Sequence, residues 1–299
     1  MNVKLSTAHL FSLRLFILAL SCLLIVFTTA AGGRFDNGLL WKIESAGFSP
    51  SYLFGTMHSD DPSVVRLPSA VQQAFDQAEG VTLEVVLDPQ SLMAMTTSLL
   101  MTDGTTLESL IGRSLYKRAV QAMNDQGVPE LLVARMKPWA VAVTLMTPPN
   151  KTGVVLDHVL YQDALAKGKK VDGLETVAEQ MGLFDNLPNK DQITLLKDTL
   201  DNLHIVGQML DELQDAYLDR DLKRLVEINE MSMRNSDPQL AETFNQKVIV
   251  DRNHRMAERM EPGLKAGGQF IAVGALHLPG EEGLLNLLSA RGYRITRIY

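Results

Sequence analysis

Two histidines of this chain stand in the same local sequence, one near each end. The tetrad Gly-x-x-His occurs at residues 55–58 and again at residues 274–277, and each copy follows a short apolar run and precedes a Leu-Pro pair. Imidazole is the commonest metal ligand in proteins and the side chain that exchanges protons near neutral pH. The repeat therefore predicts that His58 and His277 contribute to one shared site.

Glu84 is the residue that could complete such a site. It lies in residues 81–86, a run that otherwise reads as a buried strand, and a buried carboxylate is costly unless it is paired, hydrogen-bonded or bound to a metal. Together with the two histidines it could hold a divalent ion that activates water, or it could be a structural partner of Arg252 or Arg255. The spacing differs from the His-Glu-x-x-His of zinc peptidases, so it does not identify the metal.

The residues around each tetrad predict the elements that position the histidines. Residues 38–87 and residues 268–299 both read as strand, glycine turn, helix and strand, with the histidine at the carboxyl end of the first strand. Open α/β sheets bind their ligands at that edge. Gly55 and Gly274 would serve either a turn with positive φ or a close approach of the backbone.

The fold class that follows is α/β, with a central sheet built from these two units and a large, mainly helical insertion at residues 88–267. No Pro-, Gly- or Ser-rich linker interrupts residues 32–299, which we therefore treat as a single domain. Apolar residues recur at spacings of three and four within the insertion. They predict helices at residues 89–101, 115–124, 138–146, 154–167 and 188–217.

The first 31 residues indicate export. They contain Lys4 and Arg14, no acidic residue, and an apolar run at residues 15–31. This is typical of a signal peptide, and an uncleaved membrane anchor is the alternative. Either one places the remainder in the periplasm or on the inner membrane facing the periplasm. The single cysteine, Cys22, lies in this segment, so the exported part has only nitrogen and oxygen ligands for a metal.

The charge of the chain restricts its partners. The formal net charge is −7 at pH 7, which argues against nucleic acid. Contact with a membrane is expected only through the N-terminal segment, if that segment is retained. A peptide or small-molecule substrate is compatible with this composition, and no pattern indicates an oligomeric state.

Taken in order along residues 40–299, several segments resemble the TraB/GumN group, which is related to the Tiki peptidases. They are residues 40–43, 53–58, 83–84, 174–176, 252–253 and 273–280. The resemblance implies a metal-dependent peptidase that favours manganese or cobalt over zinc. It also implies that both tetrads and Glu84 belong to the site.

Other positions gain a role mainly from this resemblance. Glu175 either faces the site or caps the helix that follows it. Arg252 could stabilise an oxyanion or orient a substrate carboxylate, or it could form a structural pair, and Asn253 beside it is a candidate supporting residue, as are Gly55 and Gly274. Asp157 is displaced from its usual position in the family and reads as a helix-start residue.

Three functions from different classes remain compatible with the sequence. The first is an exported metal-dependent hydrolase, a peptidase, in which a metal held by His58, His277 and Glu84 lowers the pKa of water. Glu84 or Glu175 then takes the proton and Arg252 stabilises the anion. The second is a non-catalytic periplasmic binding protein that sequesters a peptide, a small metabolite or haem. The third is a membrane-tethered structural protein whose repeat is a remnant of duplication.

Overall fold

The structure is a computed structural model that describes residues 33–147, 152–233, 242 and 245–299. The predicted export segment, residues 1–31, lies outside this part of the chain. None of the helices formed by the described residues combines the length and the apolar character needed to cross a bilayer.

A six-stranded mixed sheet forms the centre of the molecule, in the order β4-β3-β5-β2-β1-β6. The strands are β1 (Leu40–Glu44), β2 (Ser51–Thr56), β3 (Gly80–Val85), β4 (Lys170–Glu175), β5 (Gln269–Gly274) and β6 (Arg294–Arg297). Strands β4, β3, β5 and β2 are parallel to one another. Strand β1 is antiparallel to both β2 and β6. The mixed α/β class predicted from the sequence is therefore confirmed.

The two repeated units are interleaved in this sheet. Strand β5 lies between β2 and β3 and pairs with both, and β6 pairs with β1 at the far edge. The two tetrad strands are thus direct neighbours, with Thr56 opposite Gly274. Strand β4 comes from the segment predicted to be mainly helical, and it forms the other edge of the sheet.

Helices fill most of the remaining described chain. They are α1 (Pro62–Val65), α2 (Ser69–Gln77), α3 (Pro89–Ser98), α4 (Leu107–Asp125), α5 (Glu130–Val133), α6 (Pro138–Leu145), α7 (Leu156–Ala166), α8 (Val177–Asp185), α9 (Asn189–Asp201), α10 (Leu203–Leu218), α11 (Leu222–Met233), α12 (Asp251–Ala266) and α13 (Leu284–Ala290). A π-helical turn, Gln246–Val250, leads into α12, and a 3-10 turn, Ala275–His277, follows β5.

Two predicted helices differ from those observed. The single helix expected at residues 188–217 is divided into α9 and α10, because Asn202 leaves the helical conformation with φ −135°. The helix expected at residues 115–124 is the second part of α4, because Gly112, with φ 76° and ψ 157°, interrupts the helical conformation. A short first part precedes Gly112, and Thr106 and Ser109 form a reciprocal capping box at its start. Both differences are local, and neither alters the layers around the sheet.

Candidate active site

The two tetrads contact each other at the carboxyl ends of β2 and β5. A Cβ atom at Gly55 would lie 2.8 Å from Cδ1 of Leu278 and 3.0 Å from Cα of Ala275. Gly55 is therefore required for the close approach of the second tetrad, one of the two roles expected for it. Gly274 has φ −51° and ψ 134°, so it does not supply a positive φ.

His277 is completely buried at the end of the second tetrad. Its Nδ1 lies 2.6 Å from Oδ1 of Asn253, and Nδ2 of the same amide donates to the backbone oxygen of Glu282 at 2.7 Å. Because the amide nitrogen faces that carbonyl, the amide oxygen accepts the proton of Nδ1. The imidazole is thereby held as the tautomer with a lone pair on Nε2. This buried Nε2 has no hydrogen-bond partner among the described residues.

Burial also keeps this imidazole neutral. It lowers the pKa of His277 to about 4, and the nearby Arg252 guanidinium acts in the same direction. The carboxylates of Glu84 and Glu175 oppose this shift without cancelling it. At neutral pH the Nε2 lone pair is therefore unprotonated, which is the form that binds a metal ion.

Glu84 reaches from β3 to the backbone of the second tetrad. Its Oε2 accepts a hydrogen bond of 2.9 Å from the N–H of Gly274. Its Oε1 accepts one of 2.7 Å from Nε2 of Gln180, and it also contacts Arg252. Burial acts to raise the pKa of Glu84, but Arg252, His277 and the Gly274 hydrogen bond outweigh it and lower the pKa. The carboxylate is therefore ionised and fixed in orientation.

Arg252 is 2% exposed and bridges two carboxylates. Its Nε and Nη2 donate to Oε2 of Glu175 at 2.9 and 2.7 Å, Nη2 also contacts Glu84, and Nη1 donates to the backbone oxygen of Val248 at 3.3 Å. Arg255 binds the other oxygen of Glu175 at 2.6 Å. The structural pairing between Glu84 and Arg252 that the sequence left open is thus present, and the guanidinium lies behind Glu84.

Glu175 is the last residue of β4 and is more deeply buried than Glu84. Its side chain is fully buried against Arg252 and Arg255. The helix that follows is capped by other residues, because Thr176 and Glu179 form the reciprocal capping box of α8. Of its two expected roles, the helix cap is therefore wrong, and Glu175 instead neutralises the arginine that supports Glu84.

His58 is the exposed member of the pair of histidines, with 40% of its side chain accessible. Its Nδ1 lies 3.8 Å from Oδ2 of Asp157, an ion-pair distance too long for a hydrogen bond. The other oxygen, Oδ1, accepts a hydrogen bond of 2.9 Å from Thr56. Burial opposes a charge on His58, but Asp157 and Glu84 outweigh it and raise the pKa of the imidazole.

Asp157 and Gln180 are site residues that sequence reasoning missed. Asp157 stands in the first turn of α7, as expected, but its carboxylate also contacts the tetrad strand 101 residues earlier. Gln180 lies on α8 and donates to both Glu84 and Glu175, at 2.7 and 3.2 Å. Gln180 carries no local signal in the sequence, whereas Asp157 had a weak one in its resemblance to the family.

A cavity of about 50 Å³ opens beside these residues. Its polar lining consists of Thr56, His58, Glu84, Asp157, Gln180 and Gly274. Its apolar lining consists of Val85, Leu87 and Met95. The buried His277 and Arg252 lie outside this lining, so Glu84 and His58 are the titratable groups that a ligand from the solvent meets together with Asp157.

A wider cleft of about 710 Å³ lies elsewhere, beside the end of β1 and the start of β6, with Phe48, Glu261 and Lys265 among its lining residues. None of the predicted site residues lines it. His58 and Glu84 line the smaller cavity instead, and His277 lies buried outside both linings.

The residues around the tetrads fit a metal ion in the type of their donor atoms. The unpartnered Nε2 of His277 is a buried lone pair of the kind a metal binds, and the ionised Glu84 supplies oxygen. Within the described part of the chain, however, no group of three or more His, Cys, Asp or Glu side chains is arranged to hold an ion. Among these residues, His277 therefore has a nitrogen with no hydrogen-bond partner, whereas the carboxylate of Glu84 is hydrogen-bonded to Arg252 and Gln180.

Comparison with known proteins gives several relatives of moderate identity. The chain is 25% identical to Metalloprotease TIKI2 of Danio rerio over 313 residues, covering 87% of the chain and 60% of that protein. It is 24% identical to Metalloprotease TIKI1 of Homo sapiens over 314 residues, covering 87% of the chain and 61% of that protein. It is 25% identical to Uncharacterized protein YbaP of Shigella flexneri over 246 residues, covering 80% of the chain and 87% of that protein.

The chain thus spans about 60% of the length of the Tiki relatives it matches. No solved structure gives a significant match. A family model does: that of the TraB/PrgY/gumN family matches residues 39–297, over the range in which the tetrads, Glu84 and the Leu-Glu-Thr and Arg-Asn segments resemble it. The resemblance stated from these motifs is confirmed, and the chain belongs to the TraB/PrgY/gumN family.

Proposed function

We propose that this protein is a metal-dependent hydrolase that cleaves peptides. The observation that carries the proposal is the buried Nε2 of His277, whose lone pair is directed by Asn253 and left without a partner among the described residues. A neutral imidazole fixed by a hydrogen bond on its other nitrogen is the usual form of a metal-binding histidine. Relatives named as metalloproteases support the same activity.

The metal would be held by His277, His58 and Glu84, with manganese or cobalt favoured over zinc as the family resemblance implies. Nitrogen and carboxylate donors suit divalent ions of this class. When bound, such an ion lowers the pKa of a water molecule and supplies a nucleophile near neutral pH.

The protein's own residues would then manage protons and orientation. Glu84 is ionised and aligned by Gly274 and Gln180, so it can accept a proton at its oxygen atoms. His58, as a metal ligand beside Asp157, would be neutral, so the proton that Glu84 accepts from water is the one passed to the leaving amine. Arg252 is assigned a positioning role, because its donors are directed to Glu84, Glu175 and a backbone oxygen.

The size of the cavity favours this reading over capture of haem. Sites that enclose a whole small ligand or cofactor measure roughly 300–1,000 Å³, whereas the cavity beside the histidines measures about 50 Å³. A cavity of this size can hold one side chain of a longer ligand, and it cannot enclose a whole cofactor. The site is therefore suited to a substrate that extends across the surface and inserts one group.

The proposal also includes export to the periplasm or attachment to the inner membrane facing it. Lys4, Arg14 and the apolar run at residues 15–31 support it. The test is protease treatment of spheroplasts that produce the full chain. Degradation without lysis is expected, and protection of the entire chain would contradict export.

The decisive experiment is metal analysis by mass spectrometry after loading with manganese, cobalt or zinc. We expect near-stoichiometric metal in the wild type and little in a His58→Ala, His277→Ala variant that retains its circular dichroism spectrum. The matched control is His204→Ala, His254→Ala, which removes two exposed histidines and should keep the metal. Equal metal content in all three proteins, or no metal in any of them, would contradict a metal site formed by His58 and His277. Peptide products in a quenched-peptide library, lost in the first variant, would establish hydrolysis.

A further inference from the structure

We infer that the apolar side of the cavity is a subsite for one aliphatic side chain of the peptide substrate, and that Met95 sets its width. This inference rests on the proposed function and names the substrate class of the same site.

The lining contains two chemically different sets of residues. Val85, the last residue of β3, Leu87 in the connection and Met95 on α3 are its apolar members, which we call the apolar side. The polar members include the carboxylates of Glu84 and Asp157. Because Val85 and Glu84 line the same small cavity, a group on the apolar side lies near the proton-accepting carboxylate. A peptide that places a side chain there brings its backbone close to these polar members.

Helix α3 is an exposed wall of the cavity. Asp88 caps it and Pro89 begins it, yet the helix has no fully buried residue and leaves 69% of Met93 exposed. Met95 is half-buried and packs on the core beneath. A methionine is flexible and polarisable, so it adjusts to side chains of different shape. Met95 is thus the most adaptable apolar side chain of the lining.

Space and charge restrict which side chain fits. A water molecule needs at least ~10–15 Å³ of cavity volume, so the cavity of about 50 Å³ holds a group of about three or four non-hydrogen atoms. That matches valine, leucine or methionine. A tryptophan ring exceeds it, and an aspartate would be desolvated beside the carboxylates of Glu84 and Asp157.

The test is a binding measurement on the full chain loaded with zinc, a diamagnetic ion, and labelled with methyl-13C methionine. Blocked tripeptides Ala-Xaa-Ala with Xaa leucine, aspartate or tryptophan are titrated while the Met95 methyl signal is followed, and the same mixtures are analysed for cleavage products by mass spectrometry. We expect the leucine peptide to shift the Met95 signal and to bind at least about tenfold more tightly than the other two. The Met93 signal should stay in place.

Two variants sharpen the result. Met95→Ala should enlarge the subsite and reduce the ratio of affinities for the leucine and tryptophan peptides. Met93→Ala, two residues away on the same helix, should leave this ratio unchanged. Equal affinity for the three peptides, or an unmoved Met95 signal, would overturn the subsite. Binding of the leucine peptide without any cleavage product would instead contradict the peptidase function and leave the subsite standing, so the two failures are distinguishable.

Discussion

The phenolic hydroxyl of Tyr217 on α10 donates a hydrogen bond of 3.1 Å to the backbone oxygen of Gly55. The two residues are 162 positions apart in sequence, and the contact fixes a helix of the central segment to the first tetrad. Burial raises the pKa of Tyr217, so the hydroxyl stays protonated and remains a donor.

Tyr217→Phe should therefore lower the free energy of unfolding by about 1–3 kcal/mol, because it leaves a buried carbonyl oxygen without its donor. Urea denaturation measures the change. Tyr52→Phe, on β2 and only partly buried, is the control and should change stability by less. A Tyr217→Phe protein as stable as the wild type would show that the carbonyl is hydrated or otherwise satisfied.

Asn253→Ala should weaken metal binding without removing a ligand. The amide holds Nδ1 of His277 as a donor, and loss of such an outer hydrogen bond typically costs about 10–100-fold in metal affinity. Isothermal titration with manganese or cobalt measures it. Asn253→Asp retains the acceptor oxygen and should lose less affinity than Asn253→Ala. Identical affinities for the two variants would remove Asn253 from this role.

Arg252→Met should destabilise the fold by about 3–5 kcal/mol, because it leaves Glu84 and Glu175 buried without their shared partner. The matched control is Arg255→Met, since Arg255 is 32% exposed and pairs with Glu175 alone. Chemical denaturation should give a smaller loss for it. Adding Glu84→Gln to Arg252→Met should recover part of the stability, and the absence of any recovery would argue against the buried pair.

The stability of the metal-free protein should fall as the pH is lowered from 6.5 towards 4. Burial lowers the folded-state pKa of His277 from 6.5 to about 4, so the unfolded chain binds the proton first. The stabilisation is present above pH 6.5 and amounts to about 3 kcal/mol at 1.36 kcal/mol per pKa unit.

Denaturation midpoints between pH 4.5 and 7 measure this dependence in the presence of a chelator. His277→Gln should flatten it, because glutamine does not titrate, whereas His254→Gln at the surface should preserve it. An unchanged slope in His277→Gln would assign the dependence to another group.

Gly55→Ala should cost about 1–3 kcal/mol through overpacking, since the added methyl group would collide with Leu278 and Ala275. Gly207→Ala is the opposite case, because nothing lies within 4 Å of its added Cβ and alanine favours a helix interior by about 1 kcal/mol. Thermal melts of both variants should therefore move in opposite directions. A neutral Gly55→Ala would mean that the two tetrads separate easily.

The repeated tetrads were sufficient to predict that the two strands preceding the histidines end at one edge of the sheet. A glycine and a histidine in matched positions after two apolar runs indicate two strand ends, and β2 and β5 are indeed neighbours. Their order in the sheet was not readable, because each unit alone suggests that β2 would lie beside β3. The insertion of β5 between them depends on pairing across more than 180 residues.

The residues that surround Glu84 and Glu175 differ in whether the nearby sequence predicts their contacts. Thr176 and Glu179 have the sequence spacing of a capping box. This spacing predicts that Thr176, and not Glu175, caps α8. Gln180 has no comparable signal, since a polar residue on a helix usually faces solvent. Its contact with Glu84 arises only when α8 is packed beside β3, which is a property of the tertiary structure.

The central place of β5 has a consequence for the order in which this protein can be made. During synthesis β1 to β4 leave the ribosome long before β5. Until β5 is made, the β1–β2 pair and the β3–β4 pair cannot be joined, because β5 lies between β2 and β3, and each pair has an unpaired edge. Exposed edges of this kind favour association with other chains. His277 and the backbone N–H that orients Glu84 also arrive last. The contacts around Glu84 therefore cannot form until β5, the strand between β2 and β3, has been synthesised.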